Sequence, residues 1–206
     1  MLGLPVKAEV SKMLPKKAIY EKFNMTTAQK AKFDADISRI SIVGEITPVT
    51  TQIAAGKTVQ GFYILQIVLK NKKYDEKAIA SLPKLIPQRM IFLLQYETQY
   101  CLAYYHNRLY HTEWMELDKL SIPLLGLDLD IVWENTIKQI VCGENIAAWD
   151  VNVTIEENIA TETHRRKLIT DIASLEKKVR SEKQLNRQIQ LNEELKRMRK
   201  ELEQIS

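Results

Sequence analysis

Apolar residues recur along this chain in two rhythms, and the change of rhythm divides it. From His164 to Ser206 there is no Gly or Pro, and almost every residue is a good helix former. Leu168, Ile172, Leu175 and Val179 follow a three-four spacing, and Leu191, Leu195, Met198, Leu202 and Ile205 take it up again. On a helical wheel the second stripe lies roughly a third of a turn from the first, and Leu185 and Ile189 fall on neither. The residues between are polar: Glu182, Lys183, Gln184, Asn186, Arg187, Gln188 and Asn192. A uniform coiled coil would keep its seam. Either the helix bends here, or its halves pack on different things, the first on the body and the second on another chain. Buried amides and an Arg in the break would fix register; a solvated spacer is the plainer alternative. Thr154 and Glu157 have capping-box spacing, so this helical region is expected to begin there.

Upstream the pattern alternates between short helices and strands. Residues 1–14 look like an irregular arm. Pro15 opens a short helix carrying Ala18, Ile19 and Phe23 inward, and Thr26 or Thr27 caps a second helix through Ile37. Arg39 to Thr47 alternates as a strand that Pro48 ends or places at an edge. Phe62 to Lys70 is almost continuously apolar, as a central strand covered on both faces is. Asp75 opens a short helix closed by Pro83 and Pro87. Met90 to Tyr96, Tyr100 to Tyr105 and Leu109 to Trp114 are further strands, the last two joined at His106-Asn107-Arg108. Leu129, Val132, Trp133, Ile137, Ile140 and Val141 form the inner face of a helix that Gly143 stops.

This order predicts an α+β fold: a mixed, mostly antiparallel sheet of about five strands with helices on one face, plus a long C-terminal, coiled-coil-like helical arm. The unit from Phe62 to Tyr96 is long enough for a parallel crossover. The division expected is a globular body over 1–150 and the arm over 151–206, with 144–153 as the connection.

Composition fits a folded soluble chain: of 206 residues 45% are apolar and 27% charged, with no apolar run approaching the roughly 20 residues a membrane span needs. No secretory apolar segment follows the N-terminus, so a cytoplasmic protein is expected. Cys101 and Cys142 sit in apolar surroundings, as reduced core thiols do. The net charge of +4 is uneven: His164 to Lys200 holds twelve Lys/Arg against five Asp/Glu, while residues 61–150 hold nine against eleven. A basic tail is compatible with nucleic-acid contact and equally with simple helix solubility.

Candidate chemistry is sparse. His106, His111 and Glu113 could converge on a hairpin, but no metal-binding spacing occurs. Glu45 and Lys70 imitate the layout of a metal-dependent nuclease site, yet Val68 stands where its second acid is needed. Gly56-Lys57-Thr58 ends like a phosphate-binding loop, but the upstream Gly is replaced by Thr51, so a turn is expected. No nucleophile motif is present, and no catalytic residue, metal or cofactor is assigned. Tyr96, Tyr100, Tyr104, Tyr105, Tyr110 and Trp114 cluster on the strands. Exposed, they would form a stacking platform for single-stranded nucleic acid with Arg89 and Arg108; otherwise they fill the sheet.

Three blocks carry a family resemblance: LGLPVKAEVSKMLPKKAIYEKF, then ISRISIVGEITPVT with QGFYILQIVLK, then EKKVRSEKQLNRQIQLNEELKRMRKEL. Together they resemble the bacterial family catalogued as domain of unknown function 4391, over nearly the whole chain. That family has no established activity, and its members tend to sit beside methyltransferases and helicases of restriction-type loci. The resemblance therefore implies an accessory role in a DNA-processing or phage-defence assembly, and it supplies no catalytic residues.

The leading expectation is an interaction protein that docks a larger protein or a second copy of itself through its C-terminal helix. The residues assigned to that contact are Glu182, Gln184, Asn186, Arg187, Asn192, Leu195, Met198 and Leu202. The alternative is nucleic-acid binding through Arg165, Arg166, Lys177, Lys178, Arg180 and Tyr104. A divergent nuclease using Glu45 and Lys70 is a third.

Overall fold

The structure is a computed structural model that describes residues 1–84, 88–143 and 149–205. It divides into two compact units, Met1–Val141 and Cys142–Ser206.

The first unit is built on a six-stranded mixed sheet in sequential order, β1 (Glu9–Met13), β2 (Ile37–Ile46), β3 (Phe62–Leu69), β4 (Arg89–Tyr96), β5 (Gln99–His106) and β6 (Arg108–His111). Only β3 and β4 pair in parallel; the other four pairings are antiparallel. The parallel pair is the strand–helix–strand unit of this sheet, with α4 (Glu76–Ala80) between β3 and β4 in the chain. The α+β class stands, with one strand more than expected. The extra strand is β1, inside the segment read as an irregular arm. Its sequence EVSKM is mostly exposed and shows no alternation, as an edge strand held by backbone bonds to β2 permits.

Helices cover both faces rather than one, and strand alternation explains why β3 is apolar throughout. Leu65, Ile67 and Leu69 join Phe92, Leu94, Cys101 and Ala103 under Ile19 of α1 (Lys16–Lys22), Phe33 of α2 (Thr27–Asp36) and Ile79 of α4. Phe62 points the other way, onto Trp133 of α5 (Leu129–Cys142), with ring centroids 5.1 Å apart. All six apolar residues assigned to the inner face of α5 are buried. Gly143 follows it at φ +56°, a left-handed conformation that glycine adopts without a Cβ clash. Thr26 caps α2 with a reciprocal bond to Gln29, and Pro48 opens a four-residue turn of helix, α3 (Pro48–Thr51), as β2 ends.

The Pro-Lys-Lys-Ala block has a structural task. Lys16 Nζ donates to Asp34 Oδ1 at 2.6 Å and to the Ile37 carbonyl, tying α1 to the end of α2. Tyr20 donates to the same carboxylate oxygen at 2.6 Å, and Lys70 Nζ reaches the Asp34 carbonyl at 2.5 Å. Lys16, then Tyr20, hold the Asp34 carboxyl below its usual range. Burial, aided by Asp34, pushes the Tyr20 phenol up to about 12.

The second unit is a helical hairpin, α6 (Ile155–Ser181) and α7 (Leu185–Gln204), joined through Glu182–Gln184. Thr154 and Glu157 form the expected capping box. Buried Asn158 holds the entry to α6, accepting from Asp150 N at 2.9 Å and donating to Asp150 O at 2.7 Å. Residues 144–148 of the expected connection, and Pro87, lie outside the described residues.

Candidate interaction surface of the helical hairpin

The break read between the two apolar stripes is a reversal of direction. Contacts between α6 and α7 run antiparallel: Gln188 Nε2 donates to the Val179 carbonyl at 3.3 Å, Arg199 to Glu176 at 2.6 Å, and His164 meets Glu201 at 2.9 Å. The stripes therefore face one another. Ile172 and Leu175 close on Leu195, with Leu191, Met198 and Leu202 packed against them. This corrects the expectation that the second stripe packs on another chain. Leu195, Met198 and Leu202, assigned to a partner, are covered by the chain's own α6. A stripe displaced by a third of a turn cannot share one straight seam, but a helix folded back on itself can bring both into one core.

The polar junction makes the elbow. Glu182, 22% exposed, closes it by accepting from Gln184 N at 2.9 Å and standing 3.5 Å from Arg187 Nε. Gln184, Asn186, Arg187 and Asn192 are exposed, so they are not the buried register-setting amides considered from the sequence. Half-buried Gln188 is the amide that bonds across the hairpin, to the Val179 carbonyl. A cleft of about 350 Å³ opens at the elbow between Leu175, Lys178, Glu182, Arg187, Leu191 and Glu194, with Ser181 at its side.

On α7, Leu185 (69% exposed) and Ile189 (50%) share a row with exposed Asn192 and Lys196, about 120° around the helix from the Leu191–Leu195 seam.

The basic residues separate into two kinds. Arg165 grips Glu162 with two nitrogens, at 2.6 and 3.0 Å, and Arg166 reaches the same carboxylate at 2.6 Å. Glu162 is 3% exposed, so this pair neutralises a buried charge and is not available as drawn from sequence. Lys177, Lys178 and Arg180 are exposed at the end of α6, and exposed Lys183 joins them in the elbow.

The body does not assemble the other candidates. The tyrosines divide between the two sheet faces: Tyr96, Tyr105 and Trp114 pack on the Phe92 side, while Tyr104 lies edge-on to Trp133 at 5.7 Å. Tyr110 is 4% exposed beneath the Arg108 guanidinium. No continuous platform results, because neighbours on a strand face opposite ways. The same alternation parts the histidines. His106 stacks near Tyr104 on the Trp133 side, and His111 pairs across from Ala103 on the other. Among the described residues no group of three His, Cys, Asp or Glu could hold a metal. Glu45 pairs with Tyr63 at the start of β3, whereas Lys70 follows its far end, so the two never meet. Cys101 and Cys142 are both buried, and burial pushes the Cys101 thiol up to about 12.

The Gly56-Lys57-Thr58 turn does cradle an anion, but one from the chain itself. The Asp130 carboxylate accepts from the N–H groups of Lys57 (2.7 Å), Thr58 (3.1 Å) and Val59 (2.7 Å) and from the Thr58 hydroxyl (2.9 Å). Burial alone would raise its pKa; these donors outweigh that and hold it below the usual range.

Fold and site together define a class: an α+β body on a mixed sheet, followed by a self-packed antiparallel helical hairpin. The chain belongs to the family described as Domain of unknown function (DUF4391), which it matches over residues 2–202. No curated protein and no solved structure matches it. No helix among the described residues is long and apolar enough to cross a membrane.

Proposed function

We propose that the protein is a non-catalytic accessory subunit of a bacterial DNA-processing or phage-defence assembly of the restriction type, and that it docks a protein partner through the helical hairpin. The observation that carries this is the outward row on α7. The hairpin satisfies its own apolar seam, yet Leu185 and Ile189 remain exposed in helical register beside Asn192. A folded hairpin offers such a row without the ordering cost of a disordered tail. The docking surface proposed is thus not the Leu195–Leu202 stripe but a row about 120° around the same helix.

The mass of the purified protein, alone and mixed with the products of adjacent genes, tests this. The expected result is a defined complex with one of them that Leu185→Gln with Ile189→Gln removes. The protein remaining monomeric with every neighbour, or an unaltered complex with the double variant, refutes it.

A further inference from the structure

Residues 177–187, KKVRSEKQLNR, contain Lys177, Lys178, Arg180, Lys183 and Arg187 against one carboxylate, Glu182. That is five positive charges less one, or +4, which equals the formal net charge of the entire chain (30 Lys+Arg less 26 Asp+Glu). The other residues therefore sum to zero, and the protein's whole excess of charge is gathered at one end of one hairpin. We infer that this elbow is a contact for the phosphate backbone of nucleic acid, in duplex form. The inference rests on the hairpin described above and gives the charges of its elbow a second kind of partner, next to the outward row of α7 that Leu185 begins.

Three features favour this partner. The single acid is engaged by Arg187, and the neighbouring Glu176 by Arg199, so neither is free to repel a phosphate. Lys177, Lys178, Arg180 and Lys183 are all exposed and make no ion pair among the described residues. Around them stand Gln184 and Asn186, neutral donors suited to phosphate and sugar oxygens. The composition also argues against a protein in this place, since protein interfaces are poor in Lys and rich in aromatic residues, and the elbow has three Lys and no aromatic residue. Arg165 and Arg166 take no part, being held by Glu162.

Four phosphate contacts give log K a slope of about −3.6 against log salt, so affinity should fall about a hundredfold between roughly 50 and 200 mM. Anisotropy of a labelled duplex of random sequence, titrated with the full chain across that range, reads this directly. Lys177→Gln with Lys178→Gln, Arg180→Gln and Lys183→Gln should flatten the slope by about 3.6, to near zero. The three lysines changed to Arg should keep it, and so should Lys196→Gln with Arg197→Gln and Lys200→Gln, further along α7. No retention of duplex at low salt, an undiminished slope in the elbow variant, or an equal loss in the α7 variant overturns the inference. So does binding to anionic vesicles without binding to duplex. None of these outcomes bears on the protein complex tested above, whose variant leaves the elbow charges in place.

Discussion

A methyl group placed on Gly56 would lie 2.3 Å from Oδ1 of Asp130, because that carboxylate fills the turn formed by residues 56–59. The turn has the donor geometry of an anion nest, and α5 supplies the anion from its first turn, where negative charge also complements the helix dipole. What looked like the end of a phosphate loop is a clamp between β3 and α5. Gly56→Ala should unfold at lower temperature, by an amount equal to or larger than Asp130→Asn, which loses charge-assisted bonds worth about 1–2 kcal/mol after allowing for exposure. Thermal denaturation of both variants checks this, and equal stability of Gly56→Ala with wild type would contradict the clamp.

Acid should weaken the body through the same kind of contact. Asp34 is held below the ordinary Asp range by Lys16 and Tyr20, Asp75 by Lys32 and the Lys77 N–H, and Asp130 by its nest. A carboxyl whose folded pKa lies below its unfolded value of about 3.9 contributes stability above that value and loses it as pH falls through the folded one. Stability should therefore drop below about pH 4. Asp34→Asn should begin less stable at neutral pH and show a shallower acid decline. Melting temperatures from pH 7 to pH 3 decide it; parallel curves would exclude Asp34 as a contributor.

The hairpin should fail separately from the sheet. Leu195 is 7% exposed and sits opposite Ile172 and Leu175. Leu195→Ala should cost about 2–5 kcal/mol of hairpin stability. Hydrogen exchange should accelerate through α6 and α7 while β3 and β4 keep their protection. Uniform acceleration across the chain would show that the two units unfold as one.

Glu162 should matter more than a surface carboxylate. Glu162→Gln leaves Arg165 (17% exposed) and Arg166 (41%) without their shared counter-charge. Since both guanidinium groups reach some water, the expected loss is about 1–3 kcal/mol, below the range for a fully buried pair. Urea unfolding measures it, and an unchanged midpoint would assign the contact to the surface class.

Much of this protein was determined by local sequence. The nearly continuous apolar runs from Phe62 and from Met90 specified buried strands, the face of α5 was readable residue by residue, and the caps at Thr26 and Thr154 marked helix starts. Each depends on neighbours within a few positions, which a sequence displays. The charge concentration at 177–187 is equally legible in the sequence.

Tertiary structure decided what those elements meet. Edge strand β1 exists through its backbone bonds to β2, and no side-chain pattern announces that. The separation of Glu45 from Lys70 follows from antiparallel register, and the division of the tyrosines between two faces from how six strands line up. Asp130 lies more than seventy residues from the turn it fills, so nothing local to either segment pairs them. The stripes of the last quarter showed that the helix could not continue as one seam. Whether the second stripe would meet another chain or its own was a question of where the elbow turned, and folding back lets the two stripes bury one another without a partner.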